Sequence, residues 1–433
     1  MEQSSKKFKV VTLGCRTNQY ESQAYHNQLK NMGYSEAQEG DEADLCIVNT
    51  CTVTASADSH SRHQIRQLVR KNPGAEVLVT GCMADSAGKE LQNIEGVSSV
   101  VPNSKKETLL TDHYPDAEVP EFSIKTFPDH TRAFVKVQDG CNSFCTYCVI
   151  PYVRGRSRSR SIAEVLKEIE GLVENGYKEV VLTGINIGDF DGGKTKEENP
   201  DNLADLIRAV DKIPGIERIR VSSIDPDEVD DNLLDAIINC EKTCPSMHLV
   251  LQSGSNVVLK RMNRKYTRQI FYETVERLTR ACPDFTVTTD VIVGFPGETD
   301  MDFADTLEVL KQVKFAKVHM FPYSERPRTR AATYPNKVSP GLTKARKQEV
   351  LHLSEQMTFE LGERFIGRTM TILTEKTDAA HPNFIAGHTD NFLMVWIPDE
   401  GFKTNELIEV EITENSPHGL IGKALKQPQL QAS

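Results

Sequence analysis

The chain has 433 residues, enough for two or three domains, and its 38% hydrophobic and 26% charged content is ordinary for a globular protein. A formal charge of -11 excludes a generally basic nucleic-acid coat while leaving room for a local basic patch. Residues 1–14 hold lysines and one short strand in place of a signal-peptide core, and no apolar run approaches membrane-spanning length, so a cytoplasmic protein without a membrane partner is expected. In that reducing setting the ten cysteines are ligands or core residues rather than disulfides.

Three apolar runs open the chain and each ends in a cysteine. Residues 8–13 lead into Gly14-Cys15, 44–49 into Thr50-Cys51, and 76–80 into Gly81-Cys82. Helical patterns at 19–32 and 59–71 separate them, and the order strand, helix, strand, helix, strand predicts a parallel sheet. Right-handed crossovers bring the three strand ends to one sheet edge, where open α/β sheets bind ligands. A single cysteine at such a place reads as a small core residue. Three at equivalent positions predict a thiolate triad around an iron-sulfur cluster with one open iron. Cys46, inside its apolar run, is a packing residue.

Between 111 and 131 the periodicity breaks around Pro115, Pro120 and Pro128, which marks a linker. The domain expectation is therefore 1–115 for the first unit, 116–131 for the linker, 132–362 for a second unit and 363–428 for a tail. A strand at 133–137 delivers the chain to Cys141-Asn142-Ser143-Phe144-Cys145-Thr146-Tyr147-Cys148. Three thiolates spaced by three and then two residues wrap one loop around an iron-sulfur cubane, and three ligands for four irons leave one iron open to a small molecule. Zinc would need a fourth ligand, and the candidate His130 lies eleven residues upstream beyond the strand.

Arg154, Arg156, Arg158 and Arg160 alternate just after this loop. In an extended segment they share one side, suited to a carboxylate or phosphate through forked donors, with a solvated charged face as the alternative. Strand and helix then alternate. Strands are expected at 179–183, 216–221, 247–251, 285–293 and 316–320, with helices at 162–174, 203–211, 228–239, 268–282 and 301–312. With the first strand they make six β/α units, an open partial barrel rather than a closed eightfold one. Asn186, Ser223, Gln252 and Gly294 follow strand ends, where barrels place their chemistry; with Tyr147 and Arg156 they are the candidate cofactor contacts. Each also fits turn or cap chemistry, Thr299 with Asp302 being an evident cap. Cys240 and Cys244 lack two further ligands and read as structural.

Residues 326–376 hold ten Lys or Arg against five acids, with Arg326, Arg328 and Arg330 alternating ahead of a helix at 343–361, a candidate phosphate-backbone contact. Five short strands at 369–374, 383–388, 392–397, 408–413 and 419–424 suggest a small oligonucleotide-binding-like barrel. Phe384, Phe392 and Trp396 within it serve packing or base stacking. From 364 to 426 the tail has six basic residues and nine acids, a net of -3.

The Cys141 loop, with Tyr147 before its last cysteine, resembles that of the radical S-adenosylmethionine enzymes. Together, the Cys15, Cys51 and Cys82 set, this loop and the tail resemble the methylthiotransferases over nearly the whole chain, the tail resembling their TRAM domain. Asn49-Thr50-Cys51-Thr52-Val53-Thr54, Gly81-Cys82, Val137-Gln138-Asp139-Gly140-Cys141 and Pro151-Tyr152-Val153-Arg154-Gly155-Arg156 look most like the branch acting on N6-threonylcarbamoyladenosine in tRNA. The resemblance implies two 4Fe-4S clusters, one on each cysteine set, and S-adenosylmethionine. It implies methylthio insertion at C2 of the base in an anticodon stem-loop carrying t6A37, by hydrogen abstraction with a 5′-deoxyadenosyl radical. A flavodoxin-type electron donor and a sulfur donor are the implied partners. Acceptors of the sister branches, isopentenyladenosine or a ribosomal-protein aspartate, stay open at this point, as does a non-catalytic, metal-stabilised RNA-binding protein.

Overall fold

The computed structural model describes residues 6–128, 130–198, 200–375 and 381–425; Asp129 of the expected linker and 426–428 of the expected tail lie outside them. The first unit is a five-stranded parallel sheet in the order Ser35–Glu36, Lys7–Thr12, Leu45–Thr50, Glu76–Gly81 and Ser99–Val100. Leu45–Thr50 is buried along its whole length, as an inner parallel strand covered on both faces should be. Helices Arg16–Asn31 and Ala55–Lys71 fill the two crossovers expected. The first begins three residues earlier than its periodicity suggests, because Cys15 itself is the N-cap.

Six parallel strands form the second sheet in strict sequence order, Arg132–Lys136, Glu179–Thr183, Arg218–Ile224, Thr243–Leu249, Thr286–Val293 and Lys317–Pro322. The first and last do not pair, so the barrel is open, as six β/α units require. Ser161 with Glu164, Asn202 with Asp205, and Thr299 with Asp302 close reciprocal capping boxes on the helices outside it. The helix expected at 228–239 starts at Asp231, since Pro226–Glu228 forms a separate 3-10 turn and Asp230 takes the cap. The expected 247–251 strand runs Thr243–Leu249, starting four residues and ending two residues earlier.

Among its described residues the stretch 114–131 has no regular structure, yet it is no free tether. Ile124 and Phe127 are buried with the half-barrel core, and the Phe122 ring packs edge-on against Tyr25 at 5.2 Å. Tyr20 of the first unit donates to Glu168 of the barrel at 2.9 Å, and the Ile124 amide donates to the same carboxylate at 2.8 Å. The strap thus holds helix Arg16–Asn31 against the barrel's edge strand.

The tail closes as a five-stranded barrel of Thr369–Thr374, Phe384–Thr389, Met394–Pro398, Gly419–Ala424 and Leu407–Ser416. Its third strand begins two residues later than expected because Phe392 turns the chain at φ +66°. It docks under the amino ends of the half-barrel strands. Arg218 donates to the carbonyls of His388 and Thr371, Arg220 to those of Asp390 and Thr389, and Thr286 to that of Asn391. Phe392 lies beneath the guanidinium groups of Arg132 and Arg220, at 5.2 and 4.9 Å, and stacks on His388. It belongs to the floor of the half-barrel and not to a stacking platform for bases.

Candidate active site

The three N-terminal cysteines stand at three neighbouring strand ends. Gly14 turns the chain at φ +102° into Cys15, and a Cβ there would sit 3.1 Å from the Cys51 Sγ. Gly81, at φ +91°, passes so close to Thr50 that a Cβ would lie 2.4 Å from its carbonyl oxygen. Only glycine fits both places, and that close approach draws the strand ends together. Burial pushes the Cys82 thiol up to about 11 against the opposing charge of Arg154, and the charges of Cys15 and Cys51 push it the same way, as three clustered thiols must.

One arginine ties this triad to the barrel. Arg154 Nε donates to Cys82 Sγ at 3.3 Å, while its Nη2 donates to Asn18 Oδ1, the same atom that accepts from Cys15 Sγ at 3.7 Å. Its Nη1 donates to Glu21 at 3.1 Å and Asp139 at 2.9 Å, and Lys106 joins both carboxylates, 2.6 Å from Glu21. Burial alone would raise both carboxyls. Arg154, Lys106 and Lys136 outweigh it, bringing Glu21 to about 2 and Asp139 well below its usual range.

The expectation of four arginines on one face is thereby corrected. Gly155, at φ +79°, breaks the extended run, and acids from elsewhere in the fold claim the side chains. Arg154 is buried as described, Arg158 pairs with Asp139 at 2.9 Å, and Arg160 pairs with Glu168. Arg156 alone stays exposed without an ion pair among the described residues, with its guanidinium 4.4 Å from the centroid of the Phe144 ring in the second cysteine loop.

That loop, 141–148, is clamped by backbone contacts. The Ser143 amide donates to Cys141 Sγ at 3.4 Å, Thr146 N to Met262 O at 2.9 Å, and Ala331 N to Thr146 O at 2.8 Å. Arg264 Nη1 donates to Cys145 Sγ at 3.0 Å while its Nη2 is held by Asp225. Each triad therefore has one buried arginine on one of its sulfurs. Burial, with the charges of Cys145 and Cys141, pushes the Cys148 thiol up to about 12.

Beside Cys148 lies a cavity of about 220 Å³. Cys148 and Tyr147 line it from one side and Val53 and Thr54, just past Cys51, from the other; Gln252, Asp290, Ile292 and Phe321 are among its walls. Gln252 is held at φ +64°, and its buried Oε1 has no hydrogen-bond partner among the described residues. The other expected contacts do not line it. Asn186 donates to Glu228 Oε1 at 2.9 Å, Ser223 is half-buried at its strand's carboxyl end, and the Gly294 amide is taken by Glu298 beside Thr343.

Arg326 is displaced from the basic surface where its sequence neighbours put it. It is 4% exposed and pairs with Asp58 at 2.6 Å and Thr52 at 2.9 Å, pinning the barrel to the first unit. Arg346 is likewise buried against Glu298 and Asp300. Arg328 and Arg330 remain exposed. Sequence reasoning missed Arg264, which has no local signal, and Asp290, whose signal was a lone acid in the β-branched run 286–293.

A radical S-adenosylmethionine superfamily model matches residues 135–310, and a model described as uncharacterized protein family UPF0004 matches residues 7–102. A threonylcarbamoyladenosine tRNA methylthiotransferase of Chlamydia pneumoniae is 47% identical over 96% of this chain and 97% of its own. The chain belongs to the radical S-adenosylmethionine methylthiotransferases. A Bacillus subtilis protein of the same name is 37% identical over 93% of this chain and 92% of its own. A tRNA-2-methylthio-N(6)-dimethylallyladenosine synthase of Alkaliphilus oremlandii is 33% identical over 98% and 93%. Among solved structures, the radical S-adenosylmethionine methyltransferase TsrM of Kitasatospora setae shares the fold at TM-score 0.54 and 14% identity, over 87% of this chain and 82% of that one. This methylthiotransferase is thus an enzyme that uses S-adenosylmethionine and iron-sulfur clusters. Its two cysteine triads suit a pair of 4Fe-4S groups by donor chemistry, since the thiols of each set act on one another's charge and each set is reached by one cationic N–H donor, although no three of them stand at metal-holding geometry among the described residues. Among the described residues no helix is long and apolar enough to cross a membrane.

Proposed function

We propose that the enzyme inserts a methylthio group at C2 of N6-threonylcarbamoyladenosine 37 in tRNA, replacing the C2–H bond with a C2–S bond. One observation carries this reading: a single cavity is lined by Cys148 of the barrel triad and by Val53 and Thr54, two and three residues past Cys51 of the other triad. Two chemistries acting on one carbon need that juxtaposition, and a binding protein does not. The 47% identical relative named for this acceptor supports the branch. When bound, the cluster at Cys141, Cys145 and Cys148 supplies the hydrogen-abstracting chemistry with S-adenosylmethionine, and the cluster at Cys15, Cys51 and Cys82 supplies the sulfur.

The chain's own residues do the rest. Tyr147, Ile292 and Phe321 give the cavity apolar walls that exclude water from a carbon radical. Gln252 offers an unshared acceptor there for a donor of cofactor or base. Arg154 and Arg264 hold a sulfur of each triad in place and damp its negative charge. Exposed Arg328 and Arg330, just after the Arg326 staple, are the phosphate contacts we assign on the barrel; the tail is a TRAM domain whose role in RNA binding complements them. A flavodoxin-type electron donor, a sulfur donor and a cytoplasmic location complete the proposal.

Mass spectrometry of tRNA nucleosides from cells lacking the protein, with and without complementation, tests it. The methylthio form of threonylcarbamoyladenosine disappears and returns if the reading holds. Unchanged tRNA refutes it.

A further inference from the structure

Arg16 directly follows Cys15 and is the first residue of its helix, yet its side chain leaves the first unit. Its guanidinium carbon lies 5.6 Å from the centroid of Phe134, on the first strand of the half-barrel. The charges that act on it there are Arg132 and Arg220 from the floor and Asp290 from the cavity wall, and it acts in turn on His319. Its neighbours are already committed. Arg132 is paired with Glu375 at 3.3 Å, Arg220 with Glu179 at 2.6 Å, and Asp290 is 3.4 Å from His248. Arg16 is solvent-exposed, and its side chain makes no hydrogen bond or ion pair among the described residues. An exposed guanidinium with five fixed donors and no ion pair is a receptor for a planar anion and has no internal partner to displace.

We propose that Arg16 binds the free carboxylate of the threonylcarbamoyl group on the target adenosine and so selects that base over one with an uncharged N6 substituent. This rests on the acceptor proposed above. The cavity beside Cys148 takes the purine with C2 toward both sulfur sites, and the N6 substituent leaves the ring from a different corner. The two places adjoin along one sheet edge, since Gly14, two residues before Arg16, packs against Cys51, and Val53 and Thr54 just past Cys51 line the cavity, with Asp290 on its wall. A substituent extending past Asp290 brings its terminal carboxylate to the one guanidinium there without an anion. Dimethylallyladenosine, named for the 33% identical relative, has no carboxylate to offer. An RNA phosphate or the carboxylate of S-adenosylmethionine would satisfy the same donors, so the test separates the three.

The experiment uses the full-length enzyme loaded with both clusters and measures binding of two labelled anticodon stem-loops, one carrying threonylcarbamoyladenosine and one unmodified adenosine, with S-adenosylmethionine binding measured alongside. Wild type prefers the modified RNA. Arg16→Ala should lower that preference about tenfold or more, the value of a charge-assisted pair, while affinity for unmodified RNA changes less than about twofold. Arg16→Lys should recover part of it, and iron content equal to wild type excludes a lost cluster. Equal loss on both RNAs indicates a phosphate contact and overturns the inference. So does a loss confined to S-adenosylmethionine, or an unchanged preference. A wild type that neither prefers nor methylthiolates the modified stem-loop brings down the acceptor reading and this inference with it; one that does both while Arg16→Ala keeps the preference brings down the inference alone.

Discussion

Removing Arg154 should loosen the joint between the first unit and the barrel before it alters either sheet. Its side chain is fully buried and meets two buried carboxylates, Glu21 from the first unit and Asp139 from the barrel. Breaking a buried pair by deleting one partner costs about 3–5 kcal/mol, because the other charge stays buried. Here Lys106 and Lys136 remain beside Glu21, and Lys106 and Arg158 beside Asp139, so the low end, about 3 kcal/mol, is expected for Arg154→Ala. With a urea dependence of about 3 kcal/mol per molar, the midpoint falls by ~1 M. Arg154→Lys keeps a charge but loses the fork that reaches Cys82, Asn18, Glu21 and Asp139 together, so it should recover only part of the loss. Urea unfolding of the cluster-free protein, followed by limited proteolysis at the strap 114–131, reads both effects. A midpoint for Arg154→Ala within ~0.2 M of wild type would refute the reasoning, since that is the behaviour of a surface ion pair.

Cys51→Ala should leave S-adenosylmethionine cleavage largely intact while abolishing methylthio insertion, measured as 5′-deoxyadenosine against methylthiolated nucleoside; equal loss of both would show that the triads do not divide the work. Glu228 is pushed up to about 7 by burial and by Asp225. The folded state therefore holds this proton more tightly than the unfolded chain does. The resulting stability is fully present below about pH 4.5 and is lost as pH rises through about 7, a change of up to about 3 kcal/mol. Glu228→Gln should flatten that slope in urea midpoints taken at several pH values, and an unaltered slope would assign it to other groups. Arg326→Ala should cost about 2–3 kcal/mol by breaking its buried pair with Asp58. Arg328→Ala should leave stability unchanged and instead lower the salt dependence of tRNA binding by about one phosphate contact, as read from affinity against ionic strength. The reverse pattern would mean the two arginines have been assigned the wrong way round.

The order of elements was legible because strand and helix periods alternate cleanly from 8 to 320, and the thiol triads because strand ends and a short loop are local features. Charged side chains were not. The row from Arg154 to Arg160 and the row from Arg326 to Arg330 look alike in sequence, each with arginines on alternate positions. What separates a buried staple from an exposed contact is an acid far away along the chain, Glu21 for Arg154 and Asp58 for Arg326. Local pattern holds no information on which carboxylate folding will bring near. Arg264 illustrates the same limit, since its role is set by Cys145 and Asp225 converging from two other loops. Gln252 was legible as a strand-end residue, but its φ of +64° and its unpaired oxygen depend on the bridge to Val291 on the neighbouring strand.

The net negative charge of the tail, which reads as a departure from an RNA-binding barrel, follows from where the tail sits. Its docking face meets a floor rich in arginine: Arg132, Arg218 and Arg220 surround the single fully buried Glu179, leaving more guanidinium than carboxylate at the bottom of the half-barrel. Such an excess of buried cations is costly unless acceptors arrive from outside. The tail supplies them as main-chain carbonyls at Thr371, His388, Thr389 and Asp390, and as the Glu375 carboxylate against Arg132. On this floor the arginine donors come from the barrel and ask acceptors of the tail, while at its margin Arg368 and Asn391 of the tail donate to Asp284 and Asn405 donates to the Gly176 carbonyl. The floor it completes lies at the end of the strands opposite the cluster loop, about 20 Å away for strands of this length. Any RNA contact made by the tail's remaining surface must therefore be reached around the outside of the barrel, away from the strand end that carries the cluster loop.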